Sequence, residues 1–322
     1  MPYTKILSRS PYILSTGELT DLSYSLLVLT LNGASSPTYT ITKNAYQFKD
    51  SSNVDKGFNS FDISDLLRDY VETTYNGTLP TLPAFAQFSY NLLNFSTTAQ
   101  LPAQQTGIVR VLDGYTEFQN GLNYSLPINQ VMLSCSELWM PIGAETSIYF
   151  NDANNDIQEF KVSNVDTKVD VNGTDIRINR IEECKYPHNK ITFINKWGVL
   201  QDLWFFKKRV DKTTTVNSNF QSSVLNLLQN TPSYSTTSHY KKTYNFVGNQ
   251  SMTLSTGLVG ECYNPYVQEL LMSESLWLTY EQEITPIIMT SREIEKKTSL
   301  NDYLVEYSFD FEVSNQLINN IR

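Results

Sequence analysis

The chain has 322 residues, 40% hydrophobic and 12% aromatic, enough to build more than one core. Only 18% are charged, below the roughly 25% of an average soluble domain, and the net charge is −9. That balance leaves no basic footprint for neutralising phosphates and argues against nucleic acid as a partner.

A surface poor in charge and rich in Asn, Ser, Thr and Tyr suits a chain covered by neighbouring subunits or working outside a cell. No stretch approaches the ~18 apolar residues that a membrane-spanning helix needs, so no membrane partner is expected. The first ten residues, "MPYTKILSRS", hold no apolar run of signal-peptide length, so synthesis in the cytoplasm without export is expected. Three cysteines, Cys135, Cys184 and Cys262, form no CxxC pair and are odd in number. They read as lone thiols in strands or at a core edge.

In chain order, "SYSLLVLTLNG" reads as a strand ending in an Asn32-Gly33 turn, and "PTYTITK" alternates Tyr39 and Ile41 with polar residues. "FDISDLLRDYVETTYNG" changes period. Ile63, Leu66, Leu67 and Tyr70 fall on one helical face, with Asp62 as its cap, so a short helix is expected over 62–72. "AFAQFSYNLL" and "GIVRVLDG" return to strand character. Together these make an N-terminal β-sandwich-like domain over 1–125.

A central β domain is expected over 126–211. "QVMLSCSELWMPIG", "TSIYFNDANNDIQEFKVS" and "KVDVNGTDIRINRI" supply strands joined by Asn, Asp and Gly turns. It ends in "KITFINKWGVLQDLWFF", in which Phe193, Trp204 and Phe206 read as the inner side of a hairpin. Trp197 and Gly198 sit at its turn. Residues 212–238, rich in hydroxyls and amides, read as a polar linker or arm. The remainder, 239–322, is expected to be a C-terminal β domain with a short helix over 264–273, capped by Asn264 and started by Pro265. The fold class is therefore mainly β: two or three β-sandwich-like domains with a few short helices.

Chemistry finds little to work with. His188 and His239, the two histidines, have no partner at metal-ligand spacing, and no G-x-S-x-G elbow nominates a serine. Asp152, Asn154 and Asp156 match the first three positions of a calcium loop, but Ile157 and Ser163 stand where Gly and Glu are required. A hairpin turn explains these residues without an ion. Asp113 with Glu117, or Glu281 with Glu283, could serve as glycosidase carboxylates, yet such pairs arise by chance among 33 acidic residues. Neither a catalytic site, a metal nor a cofactor is expected.

The aromatics are the richest resource. Trp197, Gly198, Trp204 and Trp277 are the candidate interface residues. For Trp197 the choice between covering its own core and contacting another chain stays open.

"SPYIL", "PTYTITK", "FDISDLLRDYV", "VLDGYTEFQNGLN", "FINKWGVLQDLWFF" and the C-terminal run from "NPYVQELLMSESLWL" to "NQLINNIR" occur in that order across almost the whole chain. Taken together they resemble structural proteins of tailed bacteriophages, especially those of marine and Bacteroidetes-type hosts. The resemblance implies a virion protein without catalytic residues. It would be a tail, baseplate or tail-attachment ring subunit, assembled in the host cytoplasm, with copies of itself and other virion proteins as partners. A carbohydrate-binding protein at a tail tip, with glycan as partner, is the alternative, and a tail-associated glycan hydrolase comes third.

Overall fold

The computed structural model describes residues 3–32, 37–121, 123, 126–182, 185–226, 232–291, 293 and 304–318. Gly33, Cys184 and positions 227–231 of the expected arm lie outside them. Strands make up 53% of the chain and helices 7%, so the protein is mainly β, with several sheets and few short helices. It divides into two compact units. The first is Met1–Glu182, Thr192–Leu203 and Cys262–Glu274; the second is Glu183–Ile191, Trp204–Glu261 and Ser275–Arg322.

The first unit is built on a five-stranded sheet in the order Tyr3–Leu7, Gln105–Leu112, Ala86–Phe95, Tyr24–Leu31, Tyr39–Asn44. The first pair is parallel and the others antiparallel. Alternation along these strands places Ile6, Leu27, Leu29, Phe88, Leu92, Val109 and Val111 in one core. Leu14, Phe61, Ile63 and Leu67 close it from the other side. The helix here is only Ser64–Arg68, shorter than the periodicity predicts. The Asp62 carboxylate accepts the Ser64 N–H at 3.1 Å and the Ser64 hydroxyl at 2.8 Å. Val71, Thr73 and Thr74 follow, and β-branched residues propagate a helix poorly.

The expected boundary at 125 is not a boundary between cores. Leu7 and Leu112 from one side of it pack with Leu126, Met132, Tyr149, Ile157, Trp197 and Val199 from the other. Around this second core lie a sheet of Glu137–Pro141, Thr174–Ile181 and Lys168–Val171, and the hairpin Thr146–Asn151 with Ile157–Val162.

Cys135 and Cys262 are disulfide-bonded, with Cα atoms 5.7 Å apart. This corrects the expectation of lone thiols: a separation of 127 residues leaves no trace in local spacing. The helix Asn264–Met272 starts just after Cys262. Its cap is Tyr263, at the end of a single 3-10 turn, rather than Asn264. Tyr263 and Tyr266 are fully buried, with rings edge to face at 5.1 Å. The Tyr266 hydroxyl donates to the Cys135 carbonyl at 2.5 Å, and the Tyr263 oxygen accepts the Trp139 N–H at 2.7 Å. One bond and two tyrosines thus fix the start of this helix to the segment 135–139.

In the second unit, Leu276–Tyr280, Glu283–Met289, Leu304–Val313, Lys241–Gly260 and Val210–Gln221 are antiparallel neighbours in that order. Asn189–Ile194 and Leu200–Phe205 are strands as well, and the limits of the two units fall inside them. Val305, Tyr307, Phe309 and Phe311 are buried while the intervening Glu306, Ser308 and Asp310 are exposed, as the alternation of the sequence predicts. Phe205 packs edge to face on Phe309 and Phe311, at 6.4 and 6.1 Å. The expected linker is corrected over 212–221: Val210–Gln221 is a strand, because its Thr and Val residues favour extended backbone.

Reducing the disulfide reopens a loop of 127 residues, which in the chain-entropy model is worth about 4–5 kcal/mol. Thermal melts with and without reductant should differ by several degrees, and Cys135→Ser should match the reduced chain without responding to reductant. Equal melting temperatures would show that the bond contributes nothing.

Candidate functional site

The hairpin turn 195–199 is held by hydrogen bonds to two distant segments, through Asn195 and the Lys196 carbonyl. The Asn195 carboxamide oxygen accepts the N–H groups of Trp197 and Val199, at 3.0 and 3.3 Å. Its amide donates to the Met132 carbonyl at 2.9 Å and to Gln201 at 3.1 Å. Gly198 has φ +79, a left-handed conformation, and a Cβ there would lie 2.8 Å from the Leu112 Cβ. Gly114 answers from the other side: its Cβ would fall on the Lys196 carbonyl, which accepts the Tyr115 N–H at 2.9 Å. Two backbone segments therefore pass each other at glycine distance.

Trp197 is only 8% exposed and belongs to the core of Leu7, Leu112, Met132 and Tyr149. Its surroundings assign it to its own core rather than to a surface. Trp204 is also buried, with the His188 ring at 5.3 Å and the Lys190 Nζ at 5.8 Å. Trp277 is half-buried, opposite Pro286 in the strand register. Trp197 and Gly198 share the turn in the first unit, and Trp204 and Trp277 lie in the second.

Beside the turn is a buried charged group. Glu269 is 3% exposed, and burial pushes its carboxyl above the ordinary range. The Ser134 hydroxyl donates to it, and the Lys196 Nζ lies 3.8 Å away. Arg9 stacks on Tyr115 at 5.0 Å, pairs with Asp113 at 3.5 Å and donates to the Met272 carbonyl at 2.8 Å. These contacts tie the helix Asn264–Met272 to the turn and to the N-terminal sheet. Asp113 thus serves an ion pair, and Glu281 sits in a left-handed turn between Leu276–Tyr280 and Glu283–Met289.

The 152–156 loop is a hairpin turn. Asp152 accepts the N–H groups of Asn154 and Asp156, and the flanking strands pair in register. Among the described residues, no three His, Cys, Asp or Glu are grouped to hold a metal ion.

The feature that the unit's own packing does not account for is the ribbon of Val210–Gln221 on Lys241–Gly260. Every residue of the first strand except Ser218 is exposed, as are residues 241–246 of the second. The partner strand Leu304–Val313 pairs with Lys241–Gly260 only from Ser251 onward. Outward of Gln250 the two strands pair with each other, and Leu317 donates to the Gly248 carbonyl. At about 3.3 Å per residue, this free part is roughly 30 Å long. A bulge sets Asn217 against Asn245 and Phe246, with Asn245 at φ +54. Phe220 and Tyr244 meet edge to face at 5.6 Å, and Val216, Tyr240 and Phe246 are exposed.

Charge separates the ribbon from the rest. From 212 to 260 the sequence has three lysines, Lys212, Lys241 and Lys242, and no Asp or Glu. Removing those three charges from the net −9 leaves −12 on the remaining residues. This acid-free stretch was the available sequence signal for the ribbon, because local composition alone reads as linker. Comparison with protein-family models, curated proteins and solved structures finds no match.

Gly198→Ala adds a methyl group where both φ and space oppose it, and should cost about 2–4 kcal/mol in denaturant unfolding. A loss below about 0.5 kcal/mol would mean the turn relaxes freely. Glu269 holds its proton more tightly folded than unfolded. Its contribution therefore favours the fold below the unfolded carboxyl value of about 4.3 and is lost as pH rises through the raised value. Glu269→Gln should accordingly gain stability relative to wild type between acidic and mildly alkaline pH, read from melting temperatures. A relative loss over that range would show that the Lys196 pair outweighs desolvation.

Proposed function

We propose that this chain is a structural subunit of a tailed-bacteriophage virion, a tail, baseplate or tail-attachment ring component that assembles with copies of itself. The observation that carries the reading is the exposed ribbon. A two-stranded hairpin is marginal in water by itself, and its unpaired edges invite another chain. A subunit that keeps one roughly 30 Å long, decorated with Val216, Phe220, Tyr244 and Phe246, is built to lay it on a neighbour. The ribbon is cationic and the rest of the chain strongly anionic, so a second copy is the complementary surface. A contact between two different patches of one chain is the kind that closes rings.

Two further observations agree with it. The ordered set of segments from "SPYIL" to "NQLINNIR" resembles phage structural proteins. The Cys135–Cys262 bond suits a protein that is synthesised in a host cytoplasm and carried into an oxidising medium on release. The second reading, glycan binding at a tail tip, draws on the exposed Tyr234, Tyr240 and Tyr244 of the same region.

The test is solution mass. The full chain should form a defined multimer that weakens as salt rises from about 0.05 to 0.5 M, where screening shortens to a few ångströms. Replacing residues 214–247 with an Asn-Gly turn should give a monomer with an unchanged melting temperature. A full-length chain that stays monomeric at every concentration, or a multimer indifferent to the deletion, would contradict the reading.

A further inference from the structure

Strand pairing places Lys5 directly beside Arg110 on the face of the N-terminal sheet opposite the one that carries Ile6, Val109 and Val111. A cavity of about 400 Å³ opens over them. Leu82, Phe85, Leu112 and Ile157 supply apolar wall, and Lys5, Arg110 and Asp156 supply charge. This mix of apolar lining and a few convergent polar groups is typical of small-molecule sites.

Lys5 and Arg110 face the carboxylates of Asp152 and Asp156. Arg110 is committed: its guanidinium lies 3.7 Å from the Tyr3 ring centroid and 4.8 Å from that of Phe85. It pairs with Asp156 at 3.6 Å and donates to Gln87 at 2.9 Å. Tyr3 donates to the same Asp156 carboxylate. Lys5 is only 3% exposed, and its ammonium donates to the carboxamide oxygens of Asn151 and, at 3.2 Å, Asn155. Both acceptors are neutral. Among the described residues, no carboxylate lies within ion-pair distance of Lys5. A buried cation whose hydrogen bonds go only to neutral dipoles keeps part of its desolvation cost even with Asp152 and Asp156 beyond ion-pair distance, and an anion arriving in the cavity would offset it.

We propose that this cavity binds a small organic carboxylate, its acid group on Lys5 and its apolar or aromatic body against Leu82, Phe85 and Ile157. The site is independent of the ribbon and of the assembly role. Specificity comes from the anion: a neutral isostere fills the same apolar space and leaves the ammonium as it was.

3-Phenylpropionate and 3-phenylpropionamide are the probes, titrated calorimetrically into the full chain. The acid should bind with a Kd on the order of 0.1–1 mM and the amide about tenfold more weakly or worse. The groups around Lys5 are Arg110, Asp152 and Asp156, with the Tyr3 ring centroid 5.9 Å from its ammonium. Burial brings Lys5 down to about 8, while Tyr3 is pushed up to about 12 and stays neutral. Affinity for the acid should therefore hold at neutral pH and fall as pH rises past about 8, with no such fall for the amide. Lys5→Met should lose at least about tenfold toward the acid only. The acid–amide comparison and the pH profile use wild-type protein, so the test does not depend on that variant folding. Equal affinity for acid and amide, a flat pH profile, or no saturable binding of the acid at about 10 mM would overturn the proposal.

Discussion

The close passage of residues 112–114 past the turn 195–198 is the constraint on which the first unit rests. Gly114 and Gly198 each lack a Cβ where the other segment's backbone runs. That approach drops Trp197 into the core with Leu7, Leu112 and Tyr149, and brings Lys196 against Glu269. Asn195 then reaches Met132, and Arg9 reaches the end of the helix Asn264–Met272. Sheet, hairpin, helix and disulfide are joined at one place. Its polar groups serve these ties, the buried Glu269 and the half-buried Lys196 included.

The ribbon obeys the opposite logic. Its residues gain almost nothing from burial within their own unit, and outward of Gly248 no further strand pairs with it among the described residues. A folded chain retains such an element when something else covers it. The absence of Asp and Glu from 212 to 260, against −12 on the rest, favours a cover made of the same protein. Low overall charge fits too, since a subunit surrounded by its neighbours needs less solvated surface than a free one.

Much of the fold was legible because strands announce themselves by alternation. The C-terminal strand Leu304–Val313 buries alternate residues as its sequence predicts, and the hairpin across 146–162 pairs around the turn its Asn and Asp residues mark. Long-range facts were not legible. The disulfide joins residues 127 apart, and the shared core across position 125 depends on Leu7 and Leu126 meeting in space. Trp197 could not be settled from a turn sequence, because whether an aromatic folds back depends on the room left by Gly114, some 80 residues earlier in the chain. The ribbon misled for a different reason. Polar residues with no apolar face look like linker, whereas here cross-strand pairing holds them extended. The pairing of Lys5 with Arg110 likewise appears only once a parallel register is known.

We propose that the ribbon of one copy lies on the acidic remainder of another. Amine cross-linking of an equal mixture of unlabelled and nitrogen-15-labelled chains tests it directly, because links between copies carry mixed isotopes. Mixed-isotope links from Lys241 and Lys242 to lysines of the first unit are expected. Links from these residues that are always of a single isotope, at concentrations where the protein is multimeric, would contradict it.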